Sequence, residues 1–164
     1  MNPFKLLLLV FACTAILSFT CGCAMTETGN TEAIAINILE TWSGDFPVSE
    51  LGRLPAGQQN TMTGYIGDKE TFISVWQVFQ EGNIVPEIDF SKNIIVFSRN
   101  VQFYNRTAIL KVMLQNGAAE IFAMETMSAI PIEDKVAMAM AVIPRKDIRF
   151  IQTGSTKIEV LPYK

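Results

Sequence analysis

The segment Thr107–Met127, TAILKVMLQNGAAEIFAMETM, decides the fold that the sequence predicts. Two strand-like runs, Thr107–Gln115 and Ala118–Met127, flank the dipeptide Asn116-Gly117. Asn-Gly is the strongest short-range signal for a two-residue β-hairpin, because both central residues of that turn need a positive φ angle. The segment therefore predicts a pair of long antiparallel strands.

Strict alternation along the first of these strands divides its side chains between two faces of a sheet. One face carries Leu110, Val112 and Leu114, and the other carries Ile109, Lys111 and Met113. Apolar runs bounded by turn residues predict further strands: Thr61–Ile66, Asn93–Val101, and a pair, Ile148–Gln152 and Lys157–Leu161, around Gly154-Ser155. A short extended piece is expected at Leu51 and Leu54.

The segment Lys135–Ile143 is compatible with two structures. Its alanines and methionines are good helix formers. It also alternates strictly between alanine and larger residues, which is typical of a strand with one small face, and Pro131 and Pro144 bracket it in either case. We favour the strand.

One amphipathic helix is predicted before the hairpin, over Lys69–Gln80. Asp68 is a suitable N-cap and Gly82 is suitable for a left-handed termination. The spacing i, i+3, i+4, i+7 forms one apolar stripe from Phe72, Val75, Trp76 and Phe79. The sequence thus predicts an α+β fold, mainly antiparallel sheet arranged as a sandwich or a curved sheet, with one helix at about 69–80.

The first residues have the three parts of an export signal. Lys5 is the positive region, Leu6–Phe19 is an apolar stretch of 14 residues, and Cys21-Gly22-Cys23 follows. Cysteines preceded by small residues resemble the lipobox of bacterial lipoproteins. Cleavage before Cys23 leaves the small Gly22 in front of the modified cysteine, whereas cleavage before Cys21 leaves Thr20, which fits less well.

The expected organisation is a signal peptide at 1–22, a tether with a candidate first strand at 23–45, and one globular β-rich domain at 46–164. The alternation of Ile34, Ile36 and Ile38 suggests that candidate strand. The lipobox resemblance implies acyl chains on Cys23 that bind the lipid bilayer, and two or more chains give stable anchoring. It places the protein in the cell envelope: at the outer membrane facing the periplasm where a second membrane exists, since Ala24 follows the cysteine, and otherwise on the outer face of the cell membrane.

A second resemblance covers the segment from about Gly64 to Ile151. The helix with Phe72 and Trp76, the connector Pro86–Lys92 (PEIDFSK) and the apolar strand after it resemble the C-terminal domain of the PrcB-type accessory lipoproteins of protease complexes. That family usually has a glycine-containing turn where this chain has Phe103–Thr107, so nothing that the glycines do is carried over. The resemblance implies an extracytoplasmic accessory domain that assists another protein, and it implies no active site.

Composition excludes several kinds of function. The chain contains no histidine, which removes the commonest general base and metal ligand and every Ser-His or Cys-His pair. The formal charge of −3 comes without a basic stripe, so nucleic acid is not an expected partner. We therefore expect no catalytic residues, no metal and no cofactor.

One group of residues is a candidate protein-binding site: Arg99, Tyr104, Asn105 and Arg106. Arginine and aromatic residues are favoured where interfaces are strongest. The alternative is a polar loop held by hydrogen bonds between its side chains and the backbone.

Other constellations are interpreted as structural. The carboxylates of Asp89, Glu125, Glu133 and Asp134 lack the spacing of a calcium loop, and Asp89 is expected to accept hydrogen bonds in a turn. The methionines at 113, 124, 127, 138 and 140 are expected to fill the core rather than bind copper. Ser91-Lys92 and Ser155 with Lys157 lie outside a Ser-x-x-Lys frame.

These observations are compatible with three functions. The preferred one is a non-enzymatic, membrane-anchored binding or accessory domain with a protein partner. The second is a structural envelope lipoprotein without a specific partner. The least favoured is a small hydrolase that uses carboxylates or a Ser-Lys pair.

Overall fold

The computed structural model describes residues 32–100, 106–127, 129 and 133–163. The expected signal peptide at 1–22 and Cys23 lie outside this part of the chain. The described residues form nine strands, one α-helix and one 3₁₀ helix. The strands are β1 Ile34–Ile36, β2 Glu40–Pro47, β3 Thr63–Ile66, β4 Asn93–Asn100, β5 Arg106–Gln115, β6 Ala118–Thr126, β7 Lys135–Pro144, β8 Phe150–Thr153 and β9 Thr156–Glu159. The helices are α1, Lys69–Phe79, and the 3₁₀ helix Val48–Arg53.

The strands form two sheets. The five-stranded sheet has the order β1-β5-β6-β8-β9, and the four-stranded sheet has the order β2-β7-β4-β3. Every neighbouring pair is antiparallel except β6 and β8, which run parallel over Ala118–Glu120. The α+β prediction, mainly antiparallel with one helix, is confirmed.

The four-stranded sheet is buried on both faces. Along β7 the larger side chains enter one core cluster, listed here as Val136, Met138, Met140 and Val142. The alternate residues Ala139, Ala141 and Ile143 enter a second cluster together with residues of the five-stranded sheet. The strand prediction for Lys135–Ile143 is confirmed, and the face with Ala139 and Ala141 is the one that packs between the two sheets.

Helix α1 covers the other face of the four-stranded sheet. Asp68 caps it by accepting a hydrogen bond from the Thr71 amide at 2.8 Å, as predicted. The four residues of the predicted stripe are the buried residues of the helix. Trp76 packs edge-on against Trp42 of β2, with 5.0 Å between ring centroids.

The hairpin turn has the predicted geometry, with φ of 53° at Asn116 and 80° at Gly117. The faces of β5 differ from the prediction because the register with β6 shifts between Ile109 and Lys111. This bulge inserts Leu110 as an extra residue, so Ile109 and Val112 are both buried. Strict alternation, which put these two residues on opposite faces, is wrong here.

The segments before β3 differ from the prediction in two respects. The segment with Leu51, expected to be extended, is a 3₁₀ helix that ends at Arg53. Strands β1 and β2 lie within 34–47, where the sequence indicated one candidate strand. None of the helices in the described residues has the length and hydropathy that crossing a membrane requires.

Candidate functional site

The outer face of the β5–β6 hairpin carries large apolar side chains that remain in water. Leu110 is 61% exposed, Met124 is 52% exposed and Phe122 is 37% exposed. We call these three residues the hairpin patch. The Lys111 ammonium lies 4.6 Å from the centroid of the Phe122 ring, close enough for a cation–π interaction.

The local structure explains this exposure. Phe122 and Met124 are two residues apart on β6, so they point to the same side of the sheet, while Ile121 between the sheets is buried. On β5 the bulge leaves both Leu110 and Lys111 exposed. The patch was not among the predicted sites, because strict alternation placed Leu110 on the face of the buried Val112.

Arg106, one of the predicted partner-binding residues, lies close to this patch. It is exposed, it begins β5, and it stands opposite Thr126 of β6. Met127, which follows β6, is 67% exposed. Arg106 and the apolar Met127 thus flank the hairpin patch where β5 begins and β6 ends.

Arg99 is corrected as a candidate partner-binding residue. Its side chain is 1% exposed, and burial lowers the pKa of its guanidinium below its usual value. The Arg99 Nε donates to the Thr61 carbonyl at 2.6 Å, and Nη2 donates to the Gln59 carbonyl. These bonds hold the segment before β3, so Arg99 serves the fold. Tyr104 and Asn105 lie outside the described residues.

The edge of β6 beside this end of the hairpin is only partly occupied. Strand β8 pairs with Ala118–Glu120 and then reverses at Gly154. Within the described ranges, no strand pairs with 121–126 of β6 on the side away from β5. Among the described strands, 121–126 of β6 therefore forms a sheet edge.

A cavity of about 350 Å³ adjoins this open edge. We call it the edge cleft. It lies between the two sheets. Its lining residues on the side of the four-stranded sheet are Met62, Thr63 and Ser98, and those on the side of the five-stranded sheet are Glu120, Ile121, Phe122, Ala123, Glu125, Thr153 and Gly154. Thr63 and Ser98 stand opposite each other in the β3–β4 pair and are both buried. The lining of the cleft thus includes two buried hydroxyl side chains.

Two further polar groups lie at this end of the sandwich. Thr107 is 1% exposed, and its hydroxyl has no hydrogen-bond partner among the described residues. Glu125 stands directly opposite Thr107 in the β5–β6 pair. Glu125 is itself exposed, yet the surrounding protein displaces enough water to raise the pKa of its carboxyl.

The connector Pro86–Lys92 contains the turn expected at Asp89. The Asp89 carboxylate accepts from the Ser91 hydroxyl at 2.5 Å and lies 3.1 Å from the Lys92 ammonium. The Ser91 hydroxyl, followed by Lys92, holds the pKa of Asp89 below its usual value. Ser91 and Lys92 thus both contact Asp89, and the expected structural role of Asp89 is confirmed.

The remaining candidate groups are scattered. Met138 and Met140 are buried in the core, as expected, but Met124 and Met127 are exposed, so their assignment to the core is wrong. Glu133 and Asp134 are exposed ahead of β7. In the part of the chain that the structure describes, no group of three or more acidic, cysteine or histidine residues could hold a metal ion.

Comparisons with protein-family models, with curated proteins and with solved structures gave no match for this chain. Functional inference therefore rests on its own residues: the hairpin patch and the edge cleft, which share strand β6.

Proposed function

We propose that this chain is a membrane-anchored cell-envelope protein whose folded domain binds another protein through the hairpin patch. The observation that carries the proposal is the exposure of Leu110, Phe122 and Met124 on neighbouring parts of the paired strands β5 and β6. Contiguous exposed apolar side chains with polar residues around them are typical of protein-binding surfaces. Arg106 adds the type of cation that such surfaces favour.

The proposed anchor is a lipid on Cys23. Support comes from the apolar stretch before it, the small Gly22 in front of it and the polar residues after it. The chain from Cys23 to the start of β1 at Ile34 has a maximum span of roughly 35–40 Å. The binding domain would therefore work close to the bilayer, where its partner is also expected.

A non-enzymatic role agrees with the character of this surface. Apolar side chains and one cation on a sheet face can bury area against a partner, but they supply no nucleophile and no general base. A partner protein is favoured over nucleic acid, because the chain is acidic overall and a phosphate backbone would be repelled. We therefore assign the domain an accessory role toward another envelope or secreted protein.

The experiment is carried out on the processed protein in membranes of the producing cell. Growth with an alkynyl fatty acid should label the protein, Cys23→Ala should abolish the label, and Cys21→Ala, the matched control, should keep it. Gentle detergent extraction should then recover one stoichiometric protein partner with the labelled form. An unlabelled protein would overturn the anchor, and a labelled protein without any partner would support the structural-lipoprotein alternative.

A further inference from the structure

Strand β6 is a long strand with two neighbours along its first third and one neighbour along the rest. Strand β8 occupies the position beside Ala118–Glu120. The turn at Gly154 then carries the chain back as β9, which pairs with β8 and not with β6. Among the described residues no strand pairs with 121–126 on this side of β6, and an open edge is a template for pairing with another chain.

The dimensions of this space fit an added strand. Six residues of extended chain are roughly 20 Å long. The edge cleft follows β6 from Glu120 to Glu125 and has a volume of about 350 Å³. A second cavity of about 260 Å³ shares Met62, Thr63 and Thr153 with it and extends the space toward Thr156. Side chains of an added strand would thus have room on the side that faces the other sheet.

The charge of the lining indicates which side chains would enter. Among the described residues that line the edge cleft, Glu120 and Glu125 are acidic and none is basic. A lysine or arginine would place its charge beside Glu125, and neutralisation would remove part of the cost that burial imposes on that carboxylate. The charges of the cleft are therefore complementary to a basic side chain.

The buried hydroxyl of Thr107, which has no hydrogen-bond partner among the described residues, is a second unusual feature at this end of the sandwich. A buried polar atom without a partner is unusual, because its desolvation costs about 1–3 kcal/mol. Thr107 stands opposite Glu125 in the β5–β6 pair, next to the residues that line the edge cleft.

We propose that the edge cleft binds an extended segment of the partner protein, which adds to the sheet alongside 121–126 and directs a lysine or arginine toward Glu125. The inference rests on the proposed function, since it describes how the same partner is held. Backbone hydrogen bonds give such strand addition its affinity, and side-chain pockets give it its specificity. The hairpin patch is the outward side of the same strand, so one partner can cover both surfaces.

The test uses the processed protein in detergent and three synthetic peptides. The probe is the acetylated and amidated peptide SVTKVTS. The first variant, called the glutamate twin, has glutamate in place of the lysine. The second, called the N-methylated twin, has N-methyl groups on alternate residues, which remove the backbone N–H donors from one edge of the peptide. Affinity is measured by isothermal titration, and the site is located by hydrogen exchange of the β6 amides.

The lysine peptide should bind and slow exchange within 121–126. The glutamate twin and the N-methylated twin should bind at least about tenfold more weakly, which corresponds to about 1.4 kcal/mol. Glu125→Gln should weaken binding of the lysine peptide about two- to fivefold, in the range of a partly exposed ion pair. Glu159→Gln, which changes an acidic residue of β9 that does not line the edge cleft, is the matched control and should leave binding unchanged.

The inference fails if the lysine peptide does not bind at millimolar concentration, if both charged peptides bind equally, or if protection appears outside β6. This failure is distinguishable from failure of the proposed function. If a partner is captured through the hairpin patch but the lysine peptide does not bind, only the inference of strand addition is wrong. If neither a partner nor the peptide binds, both the proposed function and the inference of strand addition are wrong.

Discussion

Thr107 and Glu125 stand directly opposite each other at the end of the β5–β6 pair, with the threonine buried and the glutamate at the mouth of the edge cleft. The surrounding protein removes water from the Glu125 carboxyl. This disfavours the charged form and raises the pKa of the carboxyl. The folded protein therefore holds this proton to a higher pH than the unfolded chain does. The free energy of unfolding should fall as the pH rises through the window between the two pKa values.

The first prediction is that Glu125→Gln stabilises the protein at pH 7, because the amide carries no charge to bury. The gain should disappear below the ordinary pKa of glutamate, where the wild-type carboxyl is protonated in both states. Urea denaturation at pH 7 and at pH 3.5 measures the two free energies of unfolding. Destabilisation by Glu125→Gln at pH 7 that is absent at pH 3.5 would show that the carboxylate makes a favourable contact instead.

The second prediction separates the two arginines that sequence analysis grouped together. Arg99→Met should lower the free energy of unfolding by about 2–4 kcal/mol, because it leaves buried backbone carbonyls without donors. Arg106→Met, at an exposed position, should change it by less than about 0.5 kcal/mol. Urea denaturation of both variants provides the comparison. Full stability of Arg99→Met would contradict the structural role of this guanidinium.

The third prediction concerns the small face of β7. Ala141→Leu should cost about 1–3 kcal/mol of unfolding free energy, because it overpacks the space between the two sheets. Met140→Leu, the matched change on the helix-facing side, should cost less, below about 1.5 kcal/mol, since it nearly conserves volume. Denaturation curves measure both. A tolerated Ala141→Leu would mean that the sheets do not approach closely at this position.

Local signals in the sequence account for the elements that were predicted. Asn116-Gly117 specifies its own turn, and the stripe of α1 repeats within about two helical turns, so both depend on neighbours along the chain. The alternation in β7 predicted a strand with one small face, and that face is the one that packs between the sheets.

The features that escaped prediction depend on distant parts of the chain. The bulge at Leu110 follows from the register that β5 adopts with β6, and no residue type in this segment predicts it. The parallel pairing of β6 with β8 joins segments about 30 residues apart, and the open edge exists because β8 is short. An arginine beside an asparagine is typical of a polar loop, so the sequence indicates a surface position for Arg99, whereas its hydrogen-bond acceptors lie about 40 residues earlier in the chain.

The hairpin patch is the centre of the proposed function, and crosslinking in intact cells tests it most directly. Phe122→Ser combined with Met124→Ser removes two of its three apolar side chains. Ile84→Ser, at a residue that is 93% exposed outside the patch, is the matched control. Thermal unfolding establishes that all variants are folded, and mass spectrometry quantifies what a cleavable crosslinker captures.

We expect the double variant to remain folded and to capture at least about tenfold less of the partner than the wild type, which corresponds to about 1.4 kcal/mol of lost binding energy. The Ile84→Ser protein should capture as much as the wild type. Undiminished capture by the folded double variant would contradict the account.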